Sequence, residues 1–201
     1  MNDVALSPED LGVLASIAET TLRTALAEQR RWRPDPCEFP ASLRRPGAAF
    51  VTLKREARLL GCIGTMQPVE PLCSVVADRT IAAAFQDPRT RGVFPEDFAF
   101  LDIEVSVLTP LERFSMASYD ELVAHAAVTR EGLLVEAGRH RATFLPAVWD
   151  QLDDPTEFVE ALWHKAGLSP RAWPADIELW RYSALKVCSA PPRPGLPSPF
   201  S

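Results

Sequence analysis

Leu11, Leu14, Ile17, Ala18, Leu22 and Ala25 recur three or four positions apart, the spacing of a single helix face. Ser7-Pro8-Glu9-Asp10 precedes them with a capping hydroxyl, a proline suited to the first helical position and two first-turn acids, so a helix is predicted from there. Pro34, Pro36 and Pro40 remove amide donors and bias the residue before each away from helix, predicting an irregular connection until about Ala48. Phe50-Val51-Thr52-Leu53-Lys54 and Leu59-Leu60-Gly61-Cys62-Ile63-Gly64 are rich in strand formers and flank a short charged segment, the pattern of a β-hairpin. Pro71 then opens a second helix with Leu72, Val75, Val76, Ala82 and Ala83 on its apolar face, closed by Asp87-Pro88.

Ile103, Val105 and Val107 alternate with Glu104 and Ser106, the two-residue period of a strand with one buried face. A second hairpin is expected where strand-forming segments flank Gly138-Arg139-His140. Asp154-Pro155-Thr156-Glu157 caps a helix that runs to Gly167, and residues 177–187 have the propensity of one long strand. Residues 189–201 hold five prolines and little to bury, so they are expected to form a Pro-rich disordered tail behind a single domain of residues 1–188. Hairpins imply antiparallel pairing, and helices grouped around them rather than alternating with strands imply α+β: an antiparallel sheet with packed helices.

Composition narrows the function classes. An apolar fraction of 47 % with 24 % charged residues is that of an ordinary globular protein. No apolar run approaches the ~18 residues of a membrane span, and the N-terminus does not read as an export signal, so no membrane association and a cytoplasmic location are expected. The 27 acidic against 21 basic residues give a net charge of −6, which disfavours nucleic acid as a partner. The basic cluster Arg30, Arg31 and Arg33 is read as complementing the negative pole of the first helix. Cys37, Cys62, Cys73 and Cys188 show no paired spacing and are expected to be free thiols. His125, His140 and His164 are scattered, and no metal site or cofactor is expected. Trp149, Trp163, Trp173 and Trp180 crowd the C-terminal third with Phe144 and Phe158, a cluster read as core.

Phosphate-loop, dinucleotide, nucleophile-elbow and zincin motifs are all missing from the sequence. Leu60-Gly61-Cys62-Ile63-Gly64 stands out instead, because two glycines inside a strand forfeit packing and rigidity. Two readings stay open. Gly61 and Gly64 admit a ligand or partner to a cleft where the Cys62 thiolate is nucleophile or ligand, or they form a bulge carrying a small buried hydrophobe. His140 is the candidate to activate the thiol, with a solvated turn histidine as the alternative. Asp87-Pro88-Arg89 reads either as a helix stop or as a carboxylate–guanidinium pair shaping an anion site.

Leu60-Gly61-Cys62-Ile63-Gly64, Asp87-Pro88-Arg89, the segment from Ile103 through Val107 to Thr109-Pro110, and Arg141-Ala142-Thr143-Phe144-Leu145-Pro146-Ala147-Val148-Trp149 together resemble the AMMECR family, whose bacterial and archaeal members are called AmmeMemoRadiSam system protein A. The similarity runs in order from about Ala48 to Val187. The resemblance implies two lobes flanking a cleft, with the cysteine motif beside it, and a setting shared with Memo-like and radical SAM proteins. It implies no known reaction. Candidate site residues are therefore Cys62, as the catalytic candidate, and Leu60, Gly61, Ile63, Gly64, Asp87, Arg89, His140, Arg141 and Thr143 around a ligand or partner cleft. The function so implied is an accessory or catalytic component of a small-molecule or protein modification pathway, with a small-molecule ligand; the alternative is a non-catalytic module that binds a Memo-type or other partner. Two positions depart from the family's pattern: Leu60 stands where it usually has arginine, and Thr90 where it usually has an aromatic residue. Arg58 and Arg141 are candidates to supply the missing positive charge.

Overall fold

Ser7 and Asp10 cap the first helix reciprocally: Ser7 Oγ accepts from the Asp10 amide at 3.1 Å and the Asp10 carboxylate accepts from the Ser7 amide at 3.0 Å. The computed structural model describes residues 6–196, and in it the elements run α1 (Pro8–Glu28), α2 (Ala41–Arg44), β1 (Ala49–Arg55), β2 (Arg58–Gly64), α3 (Leu72–Phe85), β3 (Leu101–Leu108), β4 (Glu112–Phe114), α4 (Tyr119–Thr129), β5 (Gly132–Ala137), β6 (His140–Phe144), α5 (Pro155–Ala166), β7 (Glu178–Tyr182) and β8 (Ala184–Ser189). The strands form two sheets, ordered β2-β1-β3-β8 and β4-β7-β5-β6, and the fold is α+β as the sequence implies. The chain divides into two units: one is Met1–Leu108 with Leu185–Ser201, the other Thr109–Ala184. Among the described residues no helix is long and apolar enough to cross a membrane.

The first unit is held by the inward face of its sheet. Val51 and Leu53 of β1 and Leu101, Ile103 and Val105 of β3 are fully buried with Leu14, Ala18 and Leu22 of α1 and Val76 and Ala83 of α3. Alternation puts Thr52, Glu104 and Ser106 on the opposite face. β1 and β2 are antiparallel and meet at Glu56 and Ala57, both with positive φ, the conformation that a tight two-residue hairpin turn requires. In the second unit Trp149, Phe158, Leu162 and Trp163 form the core, with Trp149 stacked on Phe158 at a 3.8 Å ring separation. Phe144 and Trp173 pack against that core from partly buried positions.

Several expectations need correction. The proline-rich connection contains a 3₁₀ turn at Pro36–Glu38, whose first-position proline gives up an amide that has no partner there anyway, and the single-turn α2, with Pro40 at its N-cap. Helix α1 ends at Glu28, so Arg30 and Arg31 lie beyond its last turn; Arg31 pairs with Asp78 on α3 at 2.6 Å. Residues 177–187 are not one strand but β7 and β8, in different sheets. The break is at Ser183, whose amide donates to Thr109 Oγ1 and whose carbonyl accepts from the Thr109 amide, leaving neither for a continuous ladder. Helix α4, which periodicity did not reveal, starts at Ser118, whose hydroxyl accepts from the Glu121 amide.

The segment expected as a tail, residues 189–201, reaches past the described residues after Leu196. In its described part Arg193 is buried, with Nη1 donating to the carbonyls of Phe98 and Leu101 at 3.1 and 2.6 Å, and Nη2 to that of Ser189 at 2.6 Å. These bonds tie the described part of that stretch to the chain at the start of β3. Arg193→Ala is expected to lower stability by ~2 kcal/mol, because it strands buried carbonyls, as a reduced urea midpoint with an unchanged slope. An unaltered midpoint would show the contact to be idle.

Candidate functional site

The site grows from the edge strand of the first sheet. β2 pairs with β1 on one side only, and the register slips so that Leu53 faces Gly61 while Lys54 faces Leu59. Leu60 is the extra residue of this bulge, and its side chain is buried in the core. Its carbonyl accepts from Thr90 Oγ1 at 2.7 Å, so the two positions at which this chain departs from the resembled motif touch each other.

The glycines answer to the protein's own packing. A Cβ on Gly61 would lie 1.8 Å from the Ala83 carbonyl oxygen, so α3 rests directly on the β2 backbone. A Cβ on Gly64 would lie 2.2 Å from the Phe50 ring. The molecule that comes close at Gly61 is thus the helix next door, and at Gly64 the neighbouring strand's phenyl ring. Ile63 packs against the first core cluster.

Cys62 sits between these contacts with its backbone clamped from outside the sheet. Its amide donates to Asp87 Oδ2 at 2.9 Å, and its carbonyl accepts from Arg89 Nη2 at 2.8 Å. Arg89 also binds Asp87 through Nε at 2.9 Å and Nη2 at 2.8 Å, and its own amide donates to Asp87 Oδ1 at 3.1 Å. Two side chains therefore do for this residue what a further strand would do. Since the amide and carbonyl both point away from β1, Cys62 and Thr52 form the closer, non-hydrogen-bonded kind of cross-strand pair. The Thr52 hydroxyl accordingly reaches Cys62 Sγ at 3.3 Å. Thr52 is paired on its other side with Glu104, which accepts from Ser106 Oγ at 3.3 Å, so a thiol, a hydroxyl and a carboxylate lie in a row across three strands.

Charge follows the same geometry. The Asp87 carboxylate is fully buried, whereas the Arg89 side chain is 61 % exposed. The side-chain bonds from Arg89 hold the Asp87 carboxyl well below the usual carboxylate range; burial opposes this, and the amides of Cys62 and Arg89 reinforce it. The Arg89 guanidinium is correspondingly raised by the Asp87 bonds. Cys62 is partly exposed, Cys73 is buried, and Cys37 and Cys188 are exposed; all four are free. Burial pushes the Cys73 thiol up, and the Cys188 thiol is raised too, by burial first and then by Asp102 and Glu104.

The remaining candidates belong to the second unit and have partners there. His140 Nδ1 lies 2.9 Å from the Ala166 carbonyl, at the C-terminal end of α5. Arg141 pairs with Glu136 at 2.7 Å. Thr143 donates to the Leu133 carbonyl at 2.8 Å and lies 2.7 Å from the Tyr182 hydroxyl, whose pKa burial pushes up to about 12. The structure brings Leu60, Gly61, Cys62, Asp87, Arg89 and Thr90 together through direct contacts. Sequence reasoning missed Thr52 and Glu104, although both lie on outward positions of strands it identified. Among the described residues no group of three or more His, Cys, Asp or Glu side chains is placed to hold a metal ion.

With that geometry in view, the comparisons define the class. The AMMECR1 family model matches residues 15–187, and the chain belongs to that family. It is 37 % identical over 191 residues to a protein of Thermofilum pendens, covering 89 % of each chain. It is 34 % identical over 186 residues to a protein of Methanothermobacter thermautotrophicus, covering 92 % of this chain and 96 % of the relative. The crystal structure of the uncharacterized protein PH0010 from Pyrococcus horikoshii superposes with a TM-score of 0.77 at 29 % identity, covering 94 % of this chain and 99 % of that one.

Two outcomes test the clamp. Gly61→Ala is expected to cost ~3 kcal/mol, since a helix carbonyl must move, while Gly12→Ala in α1, with nothing within 4 Å of its added Cβ, gains up to ~1 kcal/mol. A carboxyl depressed in the folded state stabilises above its unfolded pKa of ~4, and that contribution disappears as pH falls through the folded value. The melting-temperature gap between the parent and Asp87→Asn should therefore be widest above pH ~5 and narrow as pH drops from ~4 toward ~2. A gap constant across that range would remove the charge from the account.

Proposed function

We propose that this chain is a component of a small-molecule or protein modification pathway that acts through Cys62, with Memo-like and radical SAM proteins as its companions. The observation that carries this reading is the double clamp. A buried carboxylate and an exposed guanidinium fix both backbone groups of Cys62, and its sulfur accepts a hydroxyl hydrogen from Thr52. Fixing the backbone that carries a thiol narrows where its sulfur can sit, which nucleophilic attack requires. The Thr52 hydroxyl lies 3.3 Å from the sulfur, and the exposed edge of Arg89 suits an anionic group on the molecule that approaches. The family resemblance supplies the pathway setting.

Iodoacetamide is expected to alkylate Cys62 faster than the exposed Cys37 and far faster than the buried Cys73, by mass spectrometry of tryptic peptides. Thr52→Val should slow Cys62 alkylation while leaving Cys37 unchanged. Cys62→Ala should abolish pathway function with little change in melting temperature. If Cys62 reacts no faster than Cys37, or Cys62→Ser supports the pathway as well as the parent does, the thiol has no chemical role and the protein acts by binding alone.

A further inference from the structure

Two of the buried aspartates of the first unit, Asp87 and Asp97, share an arrangement. Asp97 is fully buried and accepts from Arg55 Nη1 at 2.8 Å and Arg91 Nη2 at 2.7 Å, as Asp87 accepts from Arg89. In each case the carboxylate is inside and the guanidinium faces out. The surface over them thus presents cations, although the whole chain carries −6. Between the pairs, where α3 ends, lies a concavity lined by Ala84, Phe85, Thr90, Arg91, Val93 and Phe94, with Asp87 in its wall. Phe85 and Phe94 are 48 % and 46 % exposed, and Arg91 lies over the Phe94 ring at 5.1 Å. Next to them Arg55 covers Phe100, which is 52 % exposed.

Exposed phenylalanines are costly in water, and aromatic residues with arginine are the types that dominate protein interfaces. We propose that this concavity docks a segment of a partner protein that carries carboxylates beside an aromatic or branched aliphatic side chain. The apolar side chain seats against Phe85 and Phe94, and the carboxylates meet Arg91, which shares Asp97 with Arg55. Glu96, an exposed acid close enough to act on Arg91, sets a limit on how acidic the segment can be. A nucleic acid would meet the same guanidiniums, but the net charge of −6 opposes it. This docking requires no chemistry at Cys62 and stands or falls separately from it.

The test uses the full chain and a fluorescein-labelled peptide, Gly-Asp-Glu-Leu-Phe-Glu-Asp-Gly, followed by fluorescence polarisation. Binding is expected to saturate below ~1 mM, to weaken with added salt, and to weaken at least ~tenfold in Phe94→Glu and in Phe85→Glu, whose exposed side chains leave the circular dichroism unchanged. Cys62→Ala should bind as the parent does. No saturation by ~1 mM, equal binding of a peptide with lysine in place of each acid, or a Phe94→Glu chain that binds like the parent would overturn the proposal.

Discussion

One buried carboxylate organises the first unit. Asp87 lies 25 residues from Cys62 in sequence, yet its two oxygens tie together the edge strand, the loop after α3 and the guanidinium of Arg89. A charge placed out of water is tolerated only when it is paired and hydrogen-bonded, and removing one partner of such a pair costs ~3–5 kcal/mol. The dependence falls on the buried partner: Asp87 needs the Cys62 amide and Arg89, whereas the Arg89 guanidinium also reaches water. An edge strand would otherwise show unpaired amides and carbonyls to other chains, and here those of residue 62 are taken by side chains.

Packing makes this possible. Ala82, Ala83 and Ala84 let α3 settle onto β2, and only a glycine at 61 leaves room for the Ala83 carbonyl. The helix then ends where Asp87 can reach back to the strand. Asp97 repeats the principle a few residues later, its carboxyl held at about 2: burial raises it, but Arg91, the Phe94 amide and Arg55 prevail. Both aspartates convert a loop between helix and strand into a fixed scaffold, and both turn an arginine outward. Positioned thiol and cationic rim are consequences of one device.

Much of the fold was legible in residue patterns. Ser7 with Asp10 and Asp154 with Pro155 are capping signals that act within one turn, so α1 and α5 could be read locally. The alternation in β3 likewise reflects one sheet's two faces. Ser118 and Glu121 carried a comparable signal for α4 that the weak periodicity of the helix masked. The break at Ser183 was not legible, because strand propensity says nothing about which sheet a residue joins. The site was legible only in part. The glycines marked a close approach but not the identity of the approaching group, and the clamp on Cys62 depends on a pairing between distant segments. Nor could the sequence show that His140 Nδ1 lies beside the Ala166 carbonyl. It could not show either that Arg193, in the described part of the proline-rich stretch, reaches the buried carbonyls of Phe98 and Leu101.

The account's central claim is that Asp87 and Arg89 hold the backbone of Cys62 in place of a neighbouring strand. Amide hydrogen exchange at Cys62, compared between the parent and Asp87→Ala under conditions where both are folded, tests it most directly. The prediction is strong protection in the parent that is lost at Cys62 in the variant while the amide of Val105 in the central strand β3 stays protected. Equal protection at Cys62 in both chains would contradict it.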